Sequence, residues 1–214
     1  SHKFRTPLTH IKWATENLYQ KEADADKRQN LTNIKTSVFR LNELTNLLIG
    51  VSEAENKSFL YNFEQIDFSQ CVGRILEGYK SRLEAKNLTL INKIKEPVTV
   101  KVDLTRIQFV LQIFLDNAVN YTPEGGEIRV LVHQGGGSAL CEIQDTGVGI
   151  SSDELPHIFE RFYRGHESKR LDTEGMGIGL YLAKQIIERH GGSLTVKSLG
   201  RDKGSTFRFS LPTT

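Results

Sequence analysis

Cysteine is nearly absent from this chain: the 214 residues hold two, Cys71 and Cys141, far apart and without metal-ligand spacing. Neither a disulfide framework nor a zinc site is therefore expected. An excess of charge of one sign is also missing. Lys and Arg total 28 against 26 for Asp and Glu, a net charge of +2. A protein that holds nucleic acid electrostatically carries a marked basic excess, so nucleic acid is not an expected partner. No run approaches the roughly 18 apolar residues of a membrane span. The cluster from Leu44 to Val51 is broken by Thr45, Asn46 and Gly50. No starting Met or signal peptide precedes Ser1-His2-Lys3, so the chain reads as a cytoplasmic piece of something longer. Any attachment to an inner membrane would come from an upstream region. With 38% hydrophobic and 25% charged residues, the composition is that of a soluble globular protein rather than a disordered one.

Proline and glycine are scarce in residues 1–57, where only Pro7 and Gly50 occur. On a helical wheel of about 100° per residue, Phe4, Leu8, Ile11, Thr15 and Leu18 share one side. His2, Thr6, Thr9 and Trp13 share the other. The polar stretch from Lys21 to Asp26 predicts a turn. A second stripe follows with Leu31, Ile34, Val38, Leu41, Thr45 and Leu48, widened by Leu44 and Leu47. The pattern is a helical hairpin. A hairpin this short buries too little apolar surface to stand alone. Two of them side by side make a four-helix bundle, so a homodimer is expected. The alternative is a hairpin folded back on its own chain.

From residue 58 to 214 the pattern becomes mixed. Phe59, Tyr61 and Phe63 alternate and predict a short strand. A helix is predicted over Phe68–Lys86, with Ser69 as its cap. Strands follow at Leu88–Ile94 and Val98–Val102, then a helix at Leu104–Tyr121. A hairpin at Glu127–His133 and Ala139–Gln144 crosses Gly135-Gly136-Gly137. A helix at Gly177–His190 and strands at Ser193–Ser198 and Thr206–Leu211 complete the chain. This is one α/β layer structure.

Two glycine clusters stand out. Asp145-Thr146-Gly147-Val148-Gly149-Ile150 follows a strand, and Gly175-Met176-Gly177-Ile178-Gly179-Leu180 precedes a helix. Glycine lets a backbone approach a ligand closely, and the free N–H groups of a helix start favour phosphate. The second cluster follows a polar loop rather than a strand, so it is not a dinucleotide fingerprint, and no Walker-type sequence is present. Asp145, at a strand end, is suited to accept an adenine amino proton. Asn117, late in a helix, offers an oxygen to a hard cation such as Mg²⁺. Between the clusters, Phe159-Glu160-Arg161-Phe162-Tyr163-Arg164 and the polar run Gly165–Glu174 read as a mobile lid over a phosphate chain.

This ordered set resembles the transmitter region of bacterial sensor histidine kinases, over nearly the whole chain. Ser1-His2-Lys3-Phe4-Arg5-Thr6-Pro7-Leu8 resembles the H-box, and Asp116 to Pro123 the N-box. Asp145 to Gly149, Phe159 to Arg164 and Gly175 to Leu180 resemble the first glycine box, the F-box and the second glycine box. The resemblance implies a dimerisation and histidine-phosphotransfer hairpin at residues 1–57. It implies a gyrase-like α/β two-layer ATP-binding sandwich at 58–214. His2 would be the phospho-acceptor and Thr6 the residue that orients water in dephosphorylation of a partner. Asn117 would ligate Mg²⁺. ATP would be held by Asn120, Tyr121, Asp145, Gly147, Gly149, Ile150, Tyr163, Arg164, Thr206 and the second glycine box: Gly175, Met176, Gly177, Ile178, Gly179 and Leu180. The partner would be the receiver domain of a response regulator, phosphorylated on Asp.

Three positions depart from the family pattern. Lys3 replaces the acidic residue usual after the histidine, and an ammonium cannot act as a base there. Ile113 stands where the N-box commonly begins with Asn, and Asn120 where Lys is common. These support a rival reading, a degenerate kinase acting as an ATP-responsive binding module or as a phosphatase of the regulator. A third reading, a gyrase-like clamp ATPase, would need Glu at position 113.

Overall fold

The computed structural model describes residues 11, 14, 15, 18, 19, 24, 27, 28, 30, 31, 34, 61–94, 96–171 and 176–213. The chain divides into two compact units, Ser1–Phe59 and Leu60–Thr214.

In the first unit, residues 11, 14, 15, 18 and 19 are helical, as are residues 27, 28, 30, 31 and 34. Asp24 between them is not. Its carboxylate accepts the Lys27 N–H at 3.0 Å, and its carbonyl accepts the Arg28 N–H at 2.9 Å, which starts the second stretch. Ile11, Leu18 and Ile34 are exposed. His2, Lys3, Thr6 and the rest of the expected hairpin lie outside the described residues.

Among the described residues, the second unit has seven strands and four helices. They run β1 (Glu64–Asp67), α1 (Phe68–Ala85), β2 (Thr89–Ile94), β3 (Thr99–Val102), α2 (Leu104–Tyr121), β4 (Glu127–Gly135), β5 (Ser138–Asp145), α3 (His166–Leu171), α4 (Gly179–Arg189), β6 (Ser193–Ser198) and β7 (Ser205–Pro212). A five-stranded sheet has the order β2-β4-β5-β7-β6, and β1 and β3 form a small antiparallel ribbon. Only the β2–β4 pair of the large sheet is parallel.

Alternation along the strands sends Ile128, Val130 and Val132 of β4 and Ala139, Cys141 and Ile143 of β5 into one core. Phe207, Phe209 and Leu211 of β7 join them, facing α1, α2 and α4. Phe114 of α2 meets Phe207 and Phe209 with ring centroids 5.4 and 5.8 Å apart, and Phe68 of α1 meets Phe209 at 6.0 Å. One face of the sheet is thus covered by helices, the two-layer arrangement expected.

Four local expectations are corrected. The strand read at Phe59–Phe63 lies instead at Glu64–Asp67, paired with β3. The alternation of Tyr61 and Phe63 comes from both rings packing on His190, not from sheet pairing. The cap of α1 is Asp67, whose Oδ1 accepts the Gln70 N–H at 2.9 Å, while Ser69 donates to the Glu96 carbonyl. The polar run after Arg164 contains the helix α3. The last helix begins at Gly179 rather than Gly177, because Gly177 has φ of 68°, outside the right-handed helical region.

Candidate nucleotide site

The end of β5 places Asp145 under the first glycine turn, only 6% exposed. Its Oδ1 accepts the Gly147 N–H at 2.8 Å and the Ser205 N–H at 3.2 Å, and its Oδ2 accepts the Ser205 hydroxyl at 2.5 Å. Burial pushes the carboxyl up from its ordinary range, against the pull of the hydrogen bonds from Ser205 and Gly147. A carboxylate has about four acceptor positions, so one on Oδ2 remains for an incoming N–H.

Ser205, not Thr206, is the β7 residue on this carboxylate. Ser205 shares the helix-covered face with Phe207, Phe209 and Leu211, which puts Thr206 on the other face of the sheet. Counting by twos back from the apolar residues would have found it.

On α2, Ile113, Asn117 and Tyr121 follow one another at a spacing of four and form one stripe. At one end, Ile113 lies 3.4 Å from where a Cβ on Gly179 would sit. At the other, the Tyr121 carbonyl accepts the Val148 N–H at 3.1 Å. Asn117 is therefore flanked by the two glycine boxes. It is half-buried, and its side-chain amide has no hydrogen-bond partner among the described residues. Asn120 is exposed, with its amide oxygen 3.5 Å from Arg82 Nη2 of α1. The charge that Asn120 lacks is thus present on the neighbouring helix, where Asp116 already pairs with it.

The glycines serve the protein's own backbone first. A Cβ on Gly147 would lie 2.5 Å from the Tyr121 carbonyl oxygen, and one on Gly149 would lie 2.1 Å from that of Gly200. Gly177 is pressed against the Phe162–Tyr163 backbone. These contacts pin the first box to α2 and to the β6–β7 turn. The Asp202 N–H donates to Val148 and the Gly204 N–H to Gly147, while the Ile150 N–H is taken by the Ser198 hydroxyl. Ile178 is buried, and Leu180 packs against the core. Ile178 provides no side-chain cap for α4, so side-chain capping leaves the first-turn N–H groups of that helix open to an anion. Met176 is half-buried, and Gly175 lies outside the described residues.

In the segment between the glycine boxes, Tyr163 packs its ring 5.5 Å from that of His157. Arg164 donates to the Ser168 carbonyl at 2.8 Å, and the Tyr121 and Ser168 hydroxyls share a hydrogen bond of 2.7 Å. Arg164 and Tyr121, both expected ligand residues, are therefore tied to α3. Phe162 has φ of 65° and is 66% exposed. Its N–H donates to the Gly177 carbonyl at 2.9 Å, which links this segment to the second box. Buried Glu154, which sequence reasoning passed over, accepts the His166 N–H at 2.7 Å and the Ser151 hydroxyl at 2.8 Å. It joins the tail of the first box to the start of α3.

The family model for histidine kinase-, DNA gyrase B- and HSP90-like ATPases matches residues 102–214. The chain belongs to that family. Sensor protein SrrB of Staphylococcus aureus is 32% identical over 216 residues, covering 99% of this chain and 36% of SrrB. The chain thus spans about a third of the length of the curated relatives it matches. Among solved structures, a mycobacterial sensor histidine kinase, MprB, is 29% identical with a TM-score of 0.61, covering 71% of this chain and 98% of that one. Full-length ShkA, solved in complex with AMPPNP, has a TM-score of 0.79 at 24% identity, covering 100% of this chain and 44% of that one, and shows the shared fold.

The matched segment of the ATPase fold begins at the end of β3, yet β2 completes the large sheet beside β4. The residues present suit the nucleotide that such a fold implies. Asp145 keeps an acceptor for an amino group, the α4 start offers N–H groups to phosphate, and the half-buried Asn117 would offer its amide oxygen to Mg²⁺. Among the described residues, no cluster of His, Cys, Asp or Glu could hold a metal without help, so the cation would depend on phosphate oxygens for its other ligands. No helix of the described residues is long and apolar enough to cross a membrane.

Proposed function

We propose that the chain is the core of a two-component sensor histidine kinase. It binds ATP, phosphorylates His2 and passes the phosphoryl group to an Asp of a response-regulator receiver domain. The observation that carries this reading is the buried Asp145, held by Ser205 and Gly147 with one acceptor still open, in a chain that belongs to the histidine kinase-like ATPase family. The similarity to a sensor protein along 99% of the chain supports extending the reading to residues 1–57 as the dimerising phosphotransfer hairpin.

In this reading Asp145 fixes the adenine and excludes purines without the amino group. Tyr121 lies near the base, and Tyr163 and Arg164 approach the phosphates from the lid. The α4 start with Gly175–Leu180 holds the phosphate chain. Asn117 would hold Mg²⁺, which would supply positive charge to offset that of the phosphates. The neutral His2 imidazole attacks the γ-phosphorus as the bond to the ADP oxygen breaks, and catalysis is mainly positioning and charge stabilisation. Thr6, one turn beyond His2, would orient water for dephosphorylation of the regulator.

A second reading, an ATP-responsive binding module or phosphatase, is favoured by Ile113, whose apolar side chain lies at the start of α4 where the family commonly has Asn. Labelled ATP separates the two. The kinase reading expects acid-labile label on the wild-type chain and none on His2→Ala. ATP binding without label on the wild type would select the second reading.

A further inference from the structure

Tyr61, Asn62 and Phe63, near the start of the second unit, form no strand or helix, yet each is fastened to the ATPase fold. The guanidinium carbon of Arg106 in α2 lies 4.2 Å from the Tyr61 ring centroid, and that of Arg189 at the end of α4 lies 5.5 Å from the same centroid. The same ring meets His190 edge-on at 5.3 Å and stacks on Phe63 at 5.8 Å, and Phe63 meets His190 at 5.1 Å. Between them the Asn62 N–H donates to Asp103 Oδ2 at 3.2 Å. The receiving surface is itself locked. His190 bonds through Nδ1 to the Ile186 carbonyl at 2.8 Å, and its Nε2 accepts the Asp103 N–H at 3.0 Å. That pattern requires the neutral ring protonated on Nδ1. Burial also holds its pKa below the ordinary histidine value.

None of these residues belongs to the nucleotide site, and hydrophobic burial does not explain the arrangement, since Phe63 is 41% exposed. Guanidinium–ring contacts and one charge-assisted hydrogen bond are directional. They specify where the chain leaves the domain. We propose that Tyr61–Phe63 is a strap that fixes the exit point of the interdomain connection on the α2/α4 end, with Arg106, Arg189 and His190 as its positioning residues.

The consequence rests on the kinase reading above. With the strap held, any reorientation of the ATPase domain must be made in backbone that precedes Tyr61. Releasing three extended residues lengthens the tether by about 10 Å. A longer tether dilutes the bound nucleotide around the phospho-acceptor, because effective concentration falls with tether length. The strap would therefore raise the rate of transfer to His2 without touching ATP affinity.

The test compares wild type, Tyr61→Ala, Tyr61→Phe and Arg189→Ala in the whole chain. Amide exchange of residues 61–63, nucleotide affinity by calorimetry and single-turnover labelling at saturating ATP are measured. Tyr61→Ala and Arg189→Ala are expected to lose protection at the Asn62 amide and to slow labelling several-fold with unchanged ATP affinity. Tyr61→Phe keeps the ring and should match wild type. Unchanged protection in both Ala variants would overturn the strap. Lost protection with an unchanged labelling rate would overturn its positioning role. A wild type that binds no ATP would overturn the kinase reading and the coupling with it, while exchange still decides the strap.

Discussion

At the residue scale, the site turns on how a buried carboxylate is satisfied. Asp145 is neutralised by no cation among the contacts it makes; its partners are two N–H groups and one hydroxyl. Removing the Ser205 hydroxyl leaves Oδ2 without its short bond and free to turn. The hydrogen bond that orients the carboxylate toward the ligand is worth about 1 kcal/mol net, and more with a charged acceptor. Ser205→Ala should therefore weaken ATP binding by roughly tenfold, since about 1.4 kcal/mol is one decade. Thr206→Ala, on the other face of the sheet, should leave it near wild type. Isothermal calorimetry of both variants checks this; the reverse ranking would return Thr206 to the site.

At the scale of elements, the glycine boxes are joints between loops as much as cradles for a ligand. Gly149 has φ of 69°, and a Cβ there would lie 2.1 Å from the Gly200 carbonyl oxygen, a fixed backbone atom. Gly136, in the β4–β5 turn, has φ of 59° but nothing within 4 Å of an added Cβ. Left-handed strain alone costs about 1–2 kcal/mol for a residue other than glycine. Gly136→Ala should lower stability by about that amount. Gly149→Ala should cost more, because the β6–β7 turn must also move. Paired urea denaturation curves would show it; equal losses would mean that the Gly149–Gly200 contact relaxes freely.

At the scale of the whole molecule, the described residues of the first unit include three exposed apolar side chains. Ile11 is 45% exposed, Leu18 58% and Ile34 46%, all on helical residues. A dimer bundle would give such side chains a partner to pack against. These residues belong to the two stripes from which a four-helix bundle of two chains is expected. Ile34→Glu should convert a dimer to monomer, with no effect on the fold of the second unit. Light scattering across the micromolar range checks both forms. A wild type that is monomeric throughout would remove the bundle.

Much of this was legible in the sequence because periodicity is a local property. The helix read at Leu104–Tyr121 has those bounds in the structure, since Asp103 caps it and Thr122-Pro123 ends it. The order of strands and helices followed from apolar spacing, and Asp145 stood out as the polar residue between a strand and a glycine turn. Tertiary structure alone decided which side chains meet. Asp145 meets Ser205 across 60 positions, and His190 meets Asp103 across 87. Only the folded sheet and helices bring such pairs within 3 Å or so. The same holds for the glycines. Their sequence announces close approach, but whether a ligand or another stretch of backbone occupies the space depends on partners that no local pattern encodes.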